Sequence, residues 1–256
     1  MANFVLVAGA RLGAWAWDEV VPRLRAAGHG AHPLTLSGLA ERRGVPVGRR
    51  THVEDVVAAV SGAGLREVVL VGHSYAGIPV GQAAGALGGR LAHVVFVDAD
   101  LPVEGASFLD AWPEERAGVE AALAAHGGWW PGPGPEHYAG EDLTDARIAR
   151  IVAAATPHPG VSLTEPATLP RRLSTLPATY VTCAPESDGA PGSVVSAEPD
   201  PGLPRGPLWR HVRMATGHWP MFSRPEELAD VLLSVVSDPD GPRSGAVQAG
   251  VTNPDS

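Results

Sequence analysis

The sequence contains no lysine and a single cysteine, Cys183, and each scarcity excludes something. One cysteine rules out an internal disulfide and is typical of a reducing compartment, so we predict a cytoplasmic location. No apolar run approaches the roughly 18 residues that a membrane-spanning helix needs, so no membrane association is predicted. All 19 basic residues are arginine, which, beside abundant Ala, Gly and Pro, indicates the codon bias of a GC-rich genome.

Charge and histidine spacing exclude two further classes of protein. The net charge of −9 gives no electrostatic basis for binding nucleic acid. The ten histidines include no HExxH or similar spacing, so no metal site is predicted. The first residues, MANFVLVAGA, lack a charged segment and begin as a strand, so no signal peptide is expected.

The sequence does have the alternation of an α/β fold. Short apolar runs such as Phe4–Ala8 and Ala92–Val97 alternate with helical stretches. This alternation predicts a mostly parallel central sheet that is flanked by helices. A core of this kind is predicted for residues 1–102 and 173–237.

The alternation breaks over residues 103–172, which are predicted to form an inserted helical cap. Two amphipathic pieces, near Glu114–Ala125 and Thr144–Ala155, are separated there by a stretch rich in Trp, Pro and Gly. Residues 238–256 are polar and contain Pro and Gly, so they are predicted to be a disordered tail.

The strongest functional signal is the stretch VVLVGHSYAG, Val68–Gly77. The apolar run Val68–Val71 predicts a buried strand, and Ile78–Leu87 predicts a helix. A strand, a tight turn with a central serine and a helix together are typical of a nucleophile elbow, which makes Ser74 the predicted nucleophile. Ala76 stands where such a turn usually has a glycine.

A serine hydroxyl is a weak nucleophile, so it needs a base within reach and an acid that orients the base. Both are expected after strand ends, because the carboxyl ends of parallel strands converge on one crevice. His218 follows the last strand, in the segment TGHWP, and is the predicted base. His73 lies inside the elbow and is predicted to point away from the pocket in a structural role.

The residues leave the position of the acid open. The strand Ala178–Cys183 ends shortly before Glu186 and Asp188, and either carboxylate can reach His218 from there. Asp98 or Asp100, after the strand that follows the elbow, is the alternative. For Asp98 and Asp100, however, the preferred interpretation is that they only form a turn before Leu101 and Pro102.

The rest of the predicted site consists of backbone donors and aromatic side chains. The oxyanion of a tetrahedral intermediate needs two N–H donors, which are predicted at Tyr75 and at Ala10 in the loop after the first strand. Trp129, Trp130 and Trp219 are predicted to line the substrate pocket. The two cap tryptophans have a second interpretation, in which they only pack the cap onto the sheet.

Four segments together carry a family resemblance: Phe4–Trp17, Thr35–Arg42, Val69–Gly77 and Val95–Pro102. They resemble the methylesterase and hydroxynitrile-lyase branch of the α/β-hydrolase fold, especially its bacterial salicylate-ester-type esterases. The resemblance implies the following roles: Ser74 as nucleophile, His218 as base, Ala10 and Tyr75 at the oxyanion hole, and Glu186 or, with a short slip, Asp188 as the acid.

Two departures from the family pattern restrict the activity. Ala8 replaces a histidine that buttresses the pocket in the family. The lyases of this branch need a threonine at the position of Gly9 and a lysine at that of Trp219, and this chain has no lysine at all. A cyanohydrin lyase of that type is therefore not expected.

The sequence thus favours a serine hydrolase that cleaves a small-to-medium apolar carboxylic ester through an acyl-enzyme, without cofactor or metal. One alternative keeps the fold but serves a biosynthetic pathway, by cyclisation, lactone formation or cleavage, or decarboxylation. A second alternative is a non-catalytic binder of small molecules. No oligomeric state is predicted.

Overall fold

A seven-stranded sheet forms the centre of the molecule in the computed structural model, which describes residues 1–185, 194–198 and 200–237. Two further strands form a separate antiparallel ribbon. In chain order the strands are β1 Asn3–Val7, β2 Gly30–Leu34, β3 Val68–His73, β4 Leu91–Val97, β5 Trp129–Trp130, β6 His158–Pro159, β7 Ala178–Cys183, β8 Val194–Ser196 and β9 Trp209–Met214.

The sheet runs in the order β2-β1-β3-β4-β7-β9-β8, and all pairs are parallel except β8 with β9. Successive side chains point to opposite faces, so Phe4 and Leu6 enter one apolar core while Val5 and Val7 enter the other. Burial on both faces explains why the strands appear in the sequence as continuous apolar runs. The predicted mostly parallel α/β architecture is confirmed.

The described part of the chain contains eight α-helices around the sheet. They are α1 Val21–Ala26, α2 Arg49–Gly62, α3 Gly77–Leu87, α4 Arg116–Ala125, α5 Asp145–Ala154, α6 Gly160–Thr164, α7 Pro220–Ser223 and α8 Pro225–Ser237. Across residues 1–185, 194–198 and 200–237, none of the helices is both long and apolar enough to cross a bilayer.

The chain between β4 and β7 contains α4, α5, α6 and the β5–β6 ribbon. The two amphipathic stretches predicted there form α4 and α5, and each fixes one fully or nearly fully buried side chain, Val119 and Ile151. Thr144 begins α5 as its N-cap, with its hydroxyl accepting the N–H of Arg147 at 3.3 Å. These elements cover the strand ends from which the candidate site is built.

Candidate active site

Ser74 lies in the sharp turn between β3 and α3, as predicted for an elbow. Its φ of 52° is in the left-handed region that non-glycine residues rarely adopt, and such strain clusters at functional sites. A Cβ on Gly72 would lie 3.0 Å from the carbonyl oxygen of Ala76, so only glycine allows this close approach. Ala76 itself has helical dihedrals, which explains why alanine is tolerated there.

His218 follows β9 and is joined to an acid that follows β4. Its Nδ1 lies 2.6 Å from Oδ2 of Asp98. Both residues and Ser74 line the same cavity. An imidazole that is held by a carboxylate at Nδ1 presents Nε2 as a base, which is the relation that a serine nucleophile requires.

The carboxylate that contacts His218 therefore differs from the two that the sequence analysis preferred. Glu186 and Asp188 lie outside the described residues, so their own positions stay predictions. Nδ1 of His218 has one hydrogen to donate, and Asp98 accepts it. The interpretation of Asp98 as a mere turn residue is wrong, because its carboxylate reaches the imidazole.

The backbone holds Asp98 in an orientation that suits this contact. Its φ is 43°, and its N–H donates to the carbonyl of Val181 at 2.7 Å. The second carboxylate oxygen, Oδ1, accepts the N–H of Cys183 at 3.1 Å. Asp98 is thus fixed by β7, the strand that lies between its own strand and β9.

His73 connects the first loop to the base. Its Nδ1 accepts the N–H of Gly9 at 3.3 Å, and its Nε2 donates to the carbonyl of His218 at 2.8 Å. Because one partner can only donate and the other can only accept, the ring is neutral with its proton on Nε2. Burial lowers the pKa of His73 well below its usual value, with the charge of His218 as a second cause. The predicted structural role fits these contacts, but the prediction that His73 points away from the pocket is wrong, because His73 lines the cavity wall.

Gly9 lets the loop after β1 lie directly on the nucleophile. A Cβ at this position would be 2.8 Å from Cβ of Ser74 and 2.9 Å from Nδ1 of His73. The threonine that a lyase needs would not fit here. Ala8, which replaces the family histidine, is buried and does not line the cavity, so His73 is what supports the loop.

The two predicted oxyanion donors differ in their surroundings. Ala10 lines the cavity, whereas Tyr75 is fully buried and does not. The Tyr75 hydroxyl donates to Nδ1 of His52 at 2.8 Å, while His52 Nε2 donates to the carbonyl of Ser37 at 2.9 Å. Burial raises the pKa of the Tyr75 phenol. Its side chain therefore anchors the elbow, and its role as a backbone donor remains a prediction.

The cavity has a volume of about 570 Å³ and an aromatic wall. Trp130 and Trp219 line it, as predicted, and Trp219 packs edge-on against His218 with ring centroids 4.8 Å apart. Trp129 does not line it, so that prediction is wrong. The two cap tryptophans are neighbours in β5, where successive side chains point to opposite faces.

Glu141 and Arg11 are cavity residues that the sequence reasoning missed, whereas Asp100 was an alternative candidate for the acid. Glu141 accepts the backbone N–H of His218 at 2.7 Å and fixes the base from the side of the cap. Asp100 accepts the indole N–H of Trp112 at 3.0 Å, and burial raises the pKa of Asp100. Arg11 follows Ala10 on the cavity wall. No spacing in the sequence marks Glu141 or Arg11, because each meets its partners from a distant part of the chain.

Comparison with known proteins gives a match over most of the chain. A family model described as "Alpha/beta hydrolase family" matches residues 4–231. A carbendazim-hydrolyzing esterase of Nocardioides sp. (strain SG-4G) is 36% identical over 117 residues, which are 44% of this chain and 48% of that protein. Methylesterase 2 of Arabidopsis thaliana is 26% identical over 265 residues, covering 92% of this chain and 96% of that protein.

A solved structure matches the fold. It is an extracellular alpha/beta-hydrolase from a Paenibacillus species, described as sharing structural and functional homology with tobacco salicylic acid binding protein 2. It matches with a TM-score of 0.76 at 21% identity, covering 91% of this chain and 98% of that chain. The match to the Nocardioides esterase spans about half of that protein's length.

Proposed function

This chain belongs to the alpha/beta hydrolase family, in the methylesterase branch that its sequence resembles, and on that premise we propose that it is a serine hydrolase of carboxylic esters. The observation that carries the proposal is the Asp98–His218 contact of 2.6 Å on the wall of the cavity that also holds Ser74. Matches to a named esterase and a named methylesterase support the same reaction class.

In the proposed first step, Oγ of Ser74 attacks the ester carbonyl while Nε2 of His218 takes its proton. Asp98 stabilises the imidazolium that forms, and the N–H groups of Ala10 and Tyr75 bind the oxyanion. Nε2 then gives the proton to the departing alcohol, which leaves an acyl group on Ser74. In the second step His218 deprotonates water, and the attack of that water releases the acid and restores the serine.

The non-catalytic alternative required a His218 that is beyond hydrogen-bond reach of Ser74 and has no acid behind it. Asp98 occupies that position, and its other oxygen is held by a backbone N–H. A pair of this kind orients a base and has no evident use in simple binding, so it favours catalysis. The alternative of a biosynthetic reaction on the same fold becomes an outcome of the test below.

The test combines active-site labelling with an ester panel. We expect a fluorophosphonate probe to add one adduct to the intact chain, and Ser74→Ala to lose both the adduct and the esterase activity. Ser61→Ala, on the exposed end of α2, is the matched control and should keep both. Ester turnover that survives in Ser74→Ala would contradict the serine mechanism and favour the biosynthetic alternative.

A further inference from the structure

Arg11 is a buried cation on the wall of the candidate active site. Only 8% of the residue is exposed, and it lines the cavity directly after Ala10. Its φ of 69° is held from the cap, because its N–H donates to Nδ1 of His158 at 3.2 Å and its carbonyl accepts the N–H of Thr156 at 2.9 Å. The backbone therefore fixes the direction in which the side chain leaves the loop.

The position of Arg11 is reinforced behind the loop by a buried chain of hydrogen bonds. Nε2 of His158 donates to the hydroxyl of Ser162 at 2.9 Å, and that hydroxyl donates to the carbonyl of Pro159 at 2.7 Å. His158 is fully buried, and burial lowers its pKa well below the usual value, so it stays a neutral acceptor for the Arg11 N–H. The segment is thus rigid before any ligand arrives.

The guanidinium of Arg11 stacks on an aromatic ring. Its Cζ lies 3.3 Å from the ring centroid of Trp130, which covers one face of the group. Stacking leaves the N–H donors free, because they point outward in the guanidinium plane. Nε is buried and has no hydrogen-bond partner, and among the described residues no carboxylate forms an ion pair with Arg11.

Arg49 shows what a purely structural buried arginine is like in this protein. It is also almost fully buried, but its nitrogens donate to the backbone carbonyls of Ser162, Ala106 and Glu165. Arg11 has no acceptor of this kind within the described chain. Leaving a buried cation without partners is costly, so a site that retains one points to a ligand that supplies the acceptor.

The carboxylates of the cavity do not supply this partner. Asp98 is engaged with His218, Glu141 with the N–H of His218, and Asp100 with the indole of Trp112. Glu115 is exposed. Burial lowers the pKa of Arg11 to about 10, so the side chain is still a cation at neutral pH.

We propose that Arg11 binds an ionised carboxylate of the substrate, so that the preferred ester carries a second, anionic carboxyl group close to the scissile carbonyl. This inference rests on the proposed ester hydrolysis and names its substrate class. Arg11 directly follows Ala10, whose N–H is the proposed oxyanion donor, and both line the cavity that holds Ser74, so the carboxylate and the scissile carbonyl would bind in the same cavity. The planar guanidinium edge matches a carboxylate in a bidentate arrangement.

The experiment compares two 4-nitrophenyl esters of similar size, the hydrogen glutarate and the pentanoate, in the wild type, Arg11→Met and Arg11→Lys. We expect the wild type to prefer the glutarate ester in kcat/KM. In Arg11→Met the ratio of glutarate to pentanoate should fall by about 10- to 100-fold, since a hydrogen bond to a charged group is lost. Arg11→Lys should retain part of the preference, because lysine keeps the positive charge but cannot form the two parallel hydrogen bonds of a guanidinium to a carboxylate.

Arg66→Met is the matched control, because Arg66 is exposed and far along the chain from the cavity loop; its ratio should equal that of the wild type. An unchanged ratio in Arg11→Met, with pentanoate turnover still dependent on Ser74, would overturn the inference and leave the proposed function intact. Loss of Ser74 dependence would overturn the proposed function instead.

A binding measurement keeps the inference testable without turnover. In the Ser74→Ala background, glutarate should raise the melting temperature and glutaramide should not. Adding Arg11→Met should abolish the glutarate shift, while adding Arg66→Met should leave it unchanged. If glutarate binds equally well without the Arg11 guanidinium, the inference fails. Circular dichroism of each variant separates this result from a failure to fold.

Discussion

Asp98 lies 2.6 Å from His218, although 120 residues separate the two in the chain. The contact joins the ends of β4 and β9, with β7 between them in the sheet. Cys183, at the end of β7, donates its N–H to the other oxygen of Asp98 and so bridges the gap. The position of the base is therefore set by three strands rather than by one loop.

Replacing the acid is the first prediction. Asp98→Asn should lower kcat by about 10⁴-fold, because the amide no longer stabilises the imidazolium and can impose the wrong tautomer. Glu186→Gln and Asp188→Asn are the matched controls, and both should keep nearly wild-type turnover. The reverse pattern, with Asp98→Asn active and one loop variant inactive, would return the acid to the position that the sequence favoured. The measurement is steady-state hydrolysis of a nitrophenyl ester.

A methyl group in the first loop tests how close that loop lies to the nucleophile. In Gly9→Ala the new Cβ would meet Ser74 Cβ at 2.8 Å, so the loop must shift and carry the Ala10 donor with it. Losing one oxyanion donor costs about 10²–10³ in rate, and we expect a loss of kcat of that order.

The control for this loop variant is Gly132→Ala. A Cβ at Gly132 would have only the carbonyl oxygen of Ala155 nearby, at 3.9 Å, so its kinetics should match the wild type. If Gly9→Ala also matches the wild type in kcat, the loop is not held where the structure places it.

The two neighbouring tryptophans of β5 allow a matched comparison, because only one of them lines the cavity. Trp130 lines the cavity and stacks on Arg11, whereas Trp129 is outside the cavity wall. Trp130→Ala should reduce kcat/KM by about 5- to 30-fold, a loss of one or two kcal/mol of substrate contact. Trp129→Ala should change kcat/KM little, and its effect should appear instead in thermal stability. Equal kinetic effects for the two variants would contradict the assignment of Trp130 to the wall.

Buried histidines should make the fold sensitive to mild acid. Burial lowers the pKa of His52 from 6.5 to about 4, and it also lowers the pKa values of His73 and His158. Above pH 6.5 these rings are neutral in both states. Below pH 6.5 these histidines are protonated in the unfolded chain but stay neutral in the folded chain until the pH approaches their lowered pKa values. The free energy of unfolding therefore falls as the pH falls from about 6.5 to about 4.

Urea unfolding at a series of pH values measures this dependence. For each such histidine the free energy of unfolding should fall by up to about 1.4 kcal/mol per pH unit. The slope of the unfolding free energy against pH measures how many protons are taken up on unfolding. His52→Gln should lower that number by about one, whatever its effect on stability at neutral pH. A slope that is identical in His52→Gln and the wild type would show that His52 is already protonated in the folded state.

The turn at Ser74 and the place of His218 beside the cavity were predictable, because local sequence determines them. Val68–Val71 is an uninterrupted β-branched and apolar run, and Gly72 is required where the turn approaches the helix. His218 follows the last strand of a parallel sheet, and such strand ends converge. Each of these features depends on a few neighbouring residues, so it can be predicted without knowing the tertiary contacts.

The Asp98–His218 contact and the burial of Arg11 were not predictable, because both depend on tertiary contacts. Asp98 and the pair Glu186 and Asp188 all follow strand ends, and only the contact with His218 distinguishes them. An arginine in a loop is normally exposed, so Arg11 gives no signal of burial. Its burial depends on Trp130, which comes from a part of the chain more than a hundred residues away.

Placing the acid after β4 has a consequence for the chain beyond Cys183. The segment that leads from β7 to β9 supplies no side chain to the Asp98–His218 pair within its described residues, so the proposed reaction places no direct requirement on those side chains. We expect the exposed turn at Gly202, between β8 and β9, to accept an inserted peptide while the esterase stays active. This turn is therefore a suitable position for inserting a tag or a binding peptide without loss of the proposed reaction.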